Sequence, residues 1–459
     1  MTGQPPLDGP DPLVWLRRHV PGNTTALIAT LPGSTRRVVL VRIDPEERRG
    51  ALAADDSLTL AEGARLARSN GLPLVVTVAS AGADITEGVA ALDGWGRAAR
   101  AVADCSGVVP VFFVVVGLAV SGPALLLGLA DVVVMTPQAT AFVSGPAAVA
   151  GLTGLRVTPE RIGGVGVHSQ STGVAALVAA GPQEALEVVG AVLDYLPDNS
   201  DELPMAWPSD DPPDREVPEL RDLLPSSPTG SYDVREAIRA IADDGELLEL
   251  RSGWAPQLVT ALIRIDGRSI GVVANQPQSM AGTLDIAAAQ KGARFVAFCD
   301  SFNVGLLTLV DTPGFMPGKD LEWRGMIRHG AQLVYAYAEA SVPRVCLILR
   351  KAFGGAYIVM DSKAMGSDLC LAWPSAQVAV MGPEGAVQIL HRRETPERQA
   401  ELIEEYREAY LNPYVAAERG YVDAVIDPAE TRSALAASFN ALESKRERLV
   451  DRKHGNSPL

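Results

Sequence analysis

The chain has 459 residues, of which 47% are hydrophobic and 21% charged, and its formal net charge is −15. That length exceeds what one ordinary core serves and predicts two domains. The acidic balance excludes a nucleic-acid surface, which needs clustered Lys and Arg, and obliges any phosphate-bearing ligand to find a local basic patch.

The opening residues, MTGQPPLDGPDPLVWLRRHV, lack the charged-then-apolar order of a secretory leader. RVVLVRI (37–43) and LPLVVTVASAG (72–82) predict short buried strands, the second closing on a Gly-bearing turn. Residues 108–130 carry no charge over 23 positions, which is long enough to span a membrane. Gly117, Gly122 and Pro123 interrupt that run, and β-branched residues crowd its first half. A buried strand, a tight turn and a buried helix are therefore predicted there, with no membrane partner and a cytoplasmic location. GVGVHSQSTG sets His168 in a glycine-rich loop, as a candidate site residue.

Residues 196–230, rich in Pro and Asp, predict an exposed connector, so that the domains run 1–231 and 232–459. Helices are predicted over 284–303, where Ile286, Ala289, Ala293, Val296 and Phe298 share a face, and over 320–340, 397–410 and 431–450. DTPGF (311–315) reads as a strand-end turn that could border a site. Cys105, Cys299, Cys346 and Cys370 are scattered, without CxxC or a His/Cys cluster. They are expected as buried reduced thiols, with no metal bound.

Internal similarity organises the whole chain. VPVFFVVVGLAVSGPA (109–124) parallels VPRVCLILRKAFGGAY (342–357), and ADVVVMTPQATAFVSGP (130–146) parallels SDLCLAWPSAQVAVMGP (367–383). Offsets are nearly constant: 314 − 82 = 232, 343 − 110 = 233, 355 − 122 = 233 and 383 − 146 = 237. Two copies of one α/β domain with mainly parallel sheets are predicted, strands alternating with helices.

Each copy ends an apolar strand in glycine and then starts a helix. First-turn amides have no intrahelical partner and carry the positive end of the dipole. Gly354, Gly355 and Ala356 could aim two such amides at one oxygen, an arrangement that stabilises an enolate or a urea oxyanion. The alternative is close packing of helix on strand with no ligand. No Ser/His/Asp order, HExxH, Walker loop or paired carboxylate offers other chemistry.

NQPQSMAGTLDIAAAQKGARFVAFCDSF, VDTPGFMPGKDLEWRGMIRHGAQLVYAYAEASVPRV, RKAFGGAYIVMDSK and AWPSAQVAVMGPEGAV closely resemble the carboxyltransferase (beta) subunit of biotin-dependent acyl-CoA carboxylases. The likeness is dense from about residue 232 onward and weaker back to about residue 37. It implies two tandem crotonase-like domains and a homo- or hetero-hexamer, each active site lying between the N-domain of one subunit and the C-domain of another. It also implies carboxyl transfer from carboxybiotin, carried on a separate biotin carboxylase/biotin-carrier subunit, to the α-carbon of an acyl-CoA or related thioester.

By that analogy Gly354, Gly355, Ala356 and Tyr357 form the biotin side, with the Gly355 and Ala356 amides on the urea oxygen. Ser121 and Gly122 would hold the thioester oxygen beside Gly82, and Ile358 falls where the family sorts acyl length. Departures from the family pattern gather in the first half. RRGALAADDS (48–57) replaces a glycine-rich loop, Asp84 stands for an Arg, and Ser121-Gly122-Pro123 stands for a Gly-Gly start. Pro123 is expected to hold Gly122 extended while leaving the Ser121 amide available. Three readings follow: an active carboxyltransferase subunit, a same-fold enzyme for another acceptor or for decarboxylation, and a non-catalytic partner of a paralogue.

Overall fold

The computed structural model describes residues 14–15, 22–227, 229–445, 447 and 449–458. The chain divides into two compact units. One runs to Pro204 and takes in Arg251–Trp254, and the other holds Met205–Leu250 and the chain from Ala255 onward.

In the first unit, β1 (Val14–Trp15), β2 (Thr24–Thr30), β3 (Arg37–Ile43), β4 (Leu74–Ser80), β5 (Val111–Val120), β6 (Val132–Met135), β7 (Thr140–Phe142) and β8 (Leu177–Val178) form one sheet. Its order is β1-β2-β3-β4-β5-β6-β8, with β7 also paired to β5. The β1–β2 and β2–β3 pairs are antiparallel and the others parallel. Helices Ala54–Asn70 and Val89–Ala103 make the crossovers that parallel neighbours require. The buried Asp56 carboxylate accepts from the amides of Thr24 (2.8 Å) and Ala53 (3.1 Å), which starts the first helix, and Gly71, at φ 62°, ends it.

The second unit repeats this plan. Its strands are β9 (Leu248–Leu250), β10 (Leu258–Ile265), β11 (Arg268–Asn275), β12 (Gly305–Thr312), β13 (Arg344–Phe353), β14 (Leu369–Ala372), β15 (Gln377–Ala379) and β16 (Ala424–Val425). They are ordered β9-β10-β11-β12-β13-β14-β16, with β15 paired to β13. The expected duplication, α/β class and mainly parallel sheets are all present. The uncharged run of 108–130 is β5, a turn and a short helix, and no helix among the described residues is long and apolar enough to cross a membrane.

One irregularity occurs in both sheets. Val78 pairs with Val115 and Ser80 with Ala119; correspondingly, Val310 pairs with Ile348 and Thr312 with Ala352. An advance of two residues on one strand is therefore matched by four on the next. Such a bulge bends the longer strand and re-aims its end, and in each unit that end is where the glycine turn lies.

Three expectations need correction. Val217 and Leu220, within the stretch expected to be exposed, are buried in the second unit's core with Tyr232 and Ile238. The Val217 amide donates to Ala429 O at 2.9 Å, so this segment is part of the second unit's packing. The 320–340 helix is two, Lys319–Trp323 and Met326–Glu339, because Gly325 takes φ 93° between them. The last helix, Thr431–Ala441, stops earlier than its apolar pattern predicted.

Candidate active site

At the end of β13 the side chains anchor the strand. The buried Asp311 carboxylate accepts from Arg350 Nε (3.0 Å), the Tyr232 hydroxyl (2.9 Å) and the Lys351 amide (3.1 Å). Burial pushes this carboxyl up, while Arg350 opposes the shift. Arg350 Nη1 also donates to Gly230 O at 2.9 Å. Beyond this anchor Phe353 is still extended, Gly354 turns to φ 60°, and the helix Gly354–Val359 begins. A Cβ on Gly354 would stand 3.0 Å from Val380 O, so a side chain there meets both a close contact and an unfavourable φ.

Gly355 differs. It is exposed, and a Cβ there would meet only the Phe315 ring, at an ordinary 3.7 Å. Close packing therefore does not demand a glycine at 355. Its amide and that of Ala356 lie in the helix's first turn, and among the described residues no loop carbonyl or side chain accepts from either. Phe315 also puts the DTPGF turn beside the glycines, as its sequence suggested.

Ala356 and Tyr357 are buried. Ile358 is 39% exposed and, three residues on, shares the open helix face with Gly355. Beneath the helix, Asp361 accepts from Arg344 Nη1 at 2.7 Å, while its Oδ2 has no hydrogen-bond partner among the described residues. Burial outweighs the Arg344 charge and lifts the Asp361 carboxyl to about 7.

The first unit has the same turn with different chemistry. Ser121 takes φ 59° and ψ −116°, and its amide donates to Phe142 O at 3.0 Å. The donor expected to be available there is thus spent. Gly122 does not stay extended but opens the helix Gly122–Leu126. The restriction before proline arises partly from a Cβ that glycine lacks. By the constant offset, 355 − 233 = 122 and 356 − 233 = 123, so Pro123 stands opposite Ala356 and carries no N–H. One amide, that of Gly122, remains where the second unit has two.

Gly82 lies at φ 101° beside this turn; a Cβ there would be 3.2 Å from Val120 O and 3.8 Å from Ser121 Cβ. Its amide donates to Ser80 Oγ (3.2 Å) and its carbonyl accepts from Leu52 (2.8 Å). Asp84 is no bare charge near the turn. It is buried, ion-paired with Arg48, and accepts from the Thr86 amide (3.0 Å) and hydroxyl (2.7 Å). Those Thr86 bonds hold its carboxyl below the ordinary value. Arg48 comes from the replaced loop, so two of the sequence departures compensate each other.

His168 has both ring nitrogens engaged, with Thr172 Oγ1 and Ala141 O at 2.8 Å each. It ties its own helical segment, His168–Thr172, to β7. Sequence reasoning flagged the DTPGF turn but missed the contact of its Asp311 with Arg350 and Tyr232, which joins β12, β13 and the segment before the helix Val234–Ile241. It also missed Trp95, whose indole occupies the Cβ position of Gly122, with Nε1 2.3 Å from it. Among the described residues no group of three or more His, Cys, Asp or Glu could hold a metal.

The family described as carboxyl transferase domain matches residues 33–457. The chain is 45% identical over 396 residues to the propionyl-CoA carboxylase carboxyltransferase subunit of Haloferax mediterranei, covering 85% of this chain and 77% of that one. It is 39% identical over 417 residues to the methylmalonyl-CoA decarboxylase subunit alpha of Propionigenium modestum, covering 89% and 81%. A solved transcarboxylase 12S structure, a hexamer with methylmalonyl-coenzyme A and methylmalonic acid bound, superposes with a TM-score of 0.93 at 40% identity. That match covers 95% of this chain and 85% of that one. The chain belongs to the carboxyl transferase domain family. Its fold is the tandem crotonase-like one that the resemblance implied.

Proposed function

We propose that this chain is the carboxyltransferase subunit of a biotin-dependent acyl-CoA carboxylase, acting on a short acyl-CoA of the acetyl or propionyl type. Carboxybiotin, delivered by a separate biotin carboxylase/biotin-carrier subunit, supplies the activated carboxyl group when bound. The amides of Gly355 and Ala356 donate to the urea oxygen and stabilise the negative charge gathering there as the carboxyl group leaves. The Gly122 amide does the same for the thioester oxygen as the α-carbon loses its proton. Gly354 and Gly82 shape the two turns, Tyr357 braces the helix from within, and Ile358 limits acyl length. Assembly as a hexamer follows the transcarboxylase 12S precedent, and four free, buried cysteines suit a reducing cytoplasm.

The observation that carries this reading is Gly355: exposed, with room for a side chain it lacks. The test is reconstitution with a biotin carboxylase/carrier subunit, ATP, labelled bicarbonate and a panel of acyl-CoA and carrier-bound thioesters. Labelled carboxylated product is expected, and none across the panel would overturn the reading.

A second reading is favoured by the likeness to a methylmalonyl-CoA decarboxylase subunit. The same two sites would then take the carboxyl group from a malonyl-type thioester to biotin. Loss of label from carboxyl-labelled methylmalonyl-CoA, with no net carboxylation, would select it. If the chain is inert alone yet raises a paralogue's activity, it is a non-catalytic partner.

A further inference from the structure

The thioester side, as it stands, has a single main-chain donor: Ser121 N is spent on Phe142 O, and Pro123 has none. We propose that the indole N–H of Trp95 supplies the second donor, so that Gly122 N–H and Trp95 Nε1–H together hold the acyl thioester oxygen. This rests on the acyl-CoA reading of the site and adds a residue to it.

Trp95 lies on the helix Val89–Ala103 and turns its pyrrole edge to the helix start at Gly122. A Cβ built on Gly122 would lie 2.3 Å from Nε1 and 2.4 Å from Cδ1. Amide nitrogen and Cβ of one residue are about 2.5 Å apart by standard geometry, so the two nitrogens are at most about 4.8 Å apart. One oxygen can then lie within hydrogen-bonding reach of both. The Gly122 position is only half-buried.

The second observation is that Trp95 Nε1 is buried and has no hydrogen-bond partner among the described residues. By contrast, the buried Trp373 gives its indole N–H to Thr431 Oγ1 at 2.9 Å. A buried orphan donor is costly, and indole N–H is a donor only. An oxygen that gains negative charge during the reaction is the partner it lacks. The indole keeps its proton throughout; its action is electrostatic.

The experiment compares the wild type with W95F and Trp95→His in the assembled enzyme. It measures kcat and KM, and binding of an acyl-CoA thioester against its thioether analogue, which lacks the carbonyl. W95F is expected to lower kcat by about 10²–10³-fold, with KM shifting far less, and to weaken the thioester preference. Trp95→His, which keeps a ring N–H, is expected to exceed W95F in kcat. A packing role gives the reverse order, since Phe fills the pocket better. Unchanged kcat in W95F, or His below Phe, would overturn the proposal alone. A wild type that binds neither acyl-CoA ligand overturns the acyl-CoA reading, and this inference with it.

Discussion

Ser121 and Gly354 close equivalent strands with almost the same φ, 59° and 60°. Glycine reaches that region freely, but a residue with a Cβ is strained there, typically by about 1–3 kcal/mol. Ser121→Gly should therefore raise the stability of the first unit by about 1 kcal/mol, read from the denaturant midpoint. A neutral or destabilising result would show that Ser121 is held by contacts that offset its backbone.

Ala356→Pro copies the first unit's Pro123 into the second. Proline is tolerated in a helix's first turn, so the fold should survive while one proposed donor disappears. Carboxyl transfer should fall by about 10²–10³-fold in kcat, with far-ultraviolet circular dichroism unchanged. Retained activity would remove Ala356 from the site.

Gly355→Ala separates ligand access from packing. Since the added methyl meets only an ordinary contact at 3.7 Å, thermal stability should hold or rise slightly. The methyl stands on the face that carboxybiotin must approach, so activity should drop by at least about tenfold, as small misplacements at a reacting centre do. Full activity would argue against an approach across that face.

The Asp361 carboxyl, lifted to about 7 by burial, gives a signed pH prediction. Between its unfolded value near 3.8 and about 7, the native state binds the proton more tightly, so this group's contribution to stability falls as pH rises. Asp361→Asn removes that dependence. The melting temperature of the wild type minus that of D361N should shrink from pH 5 to pH 8. A difference that is flat, or grows, would show that Arg344 keeps the carboxylate charged throughout.

Ile358 shares the open face of the helix with Gly355, and a smaller side chain there should admit longer acyl groups. Ile358→Ala is expected to move the ratio of kcat/KM values for butyryl- over acetyl-CoA upward by about tenfold or more. An unchanged ratio would place acyl selection elsewhere.

Colinear segments 232 to 237 residues apart made the duplicated fold legible in the sequence before any coordinates. Strand and helix periodicity is local, and a repeated order of elements leaves few ways to fold each copy. The glycine turn at 354–356 was visible for the same reason. Whether its glycine served packing or a ligand was undecidable, because the room beside Gly355 depends on Phe315, forty residues away. Likewise Ser121 looked able to donate until Phe142 O lay over its amide. Asp84 looked like an unopposed acid until Arg48 paired with it. Composition, repeats and turn chemistry follow from neighbours along the chain and are determined by sequence alone. Which amide is free, which charge is neutralised and which indole lacks a partner depend on contacts between distant segments, and only the tertiary structure decides them.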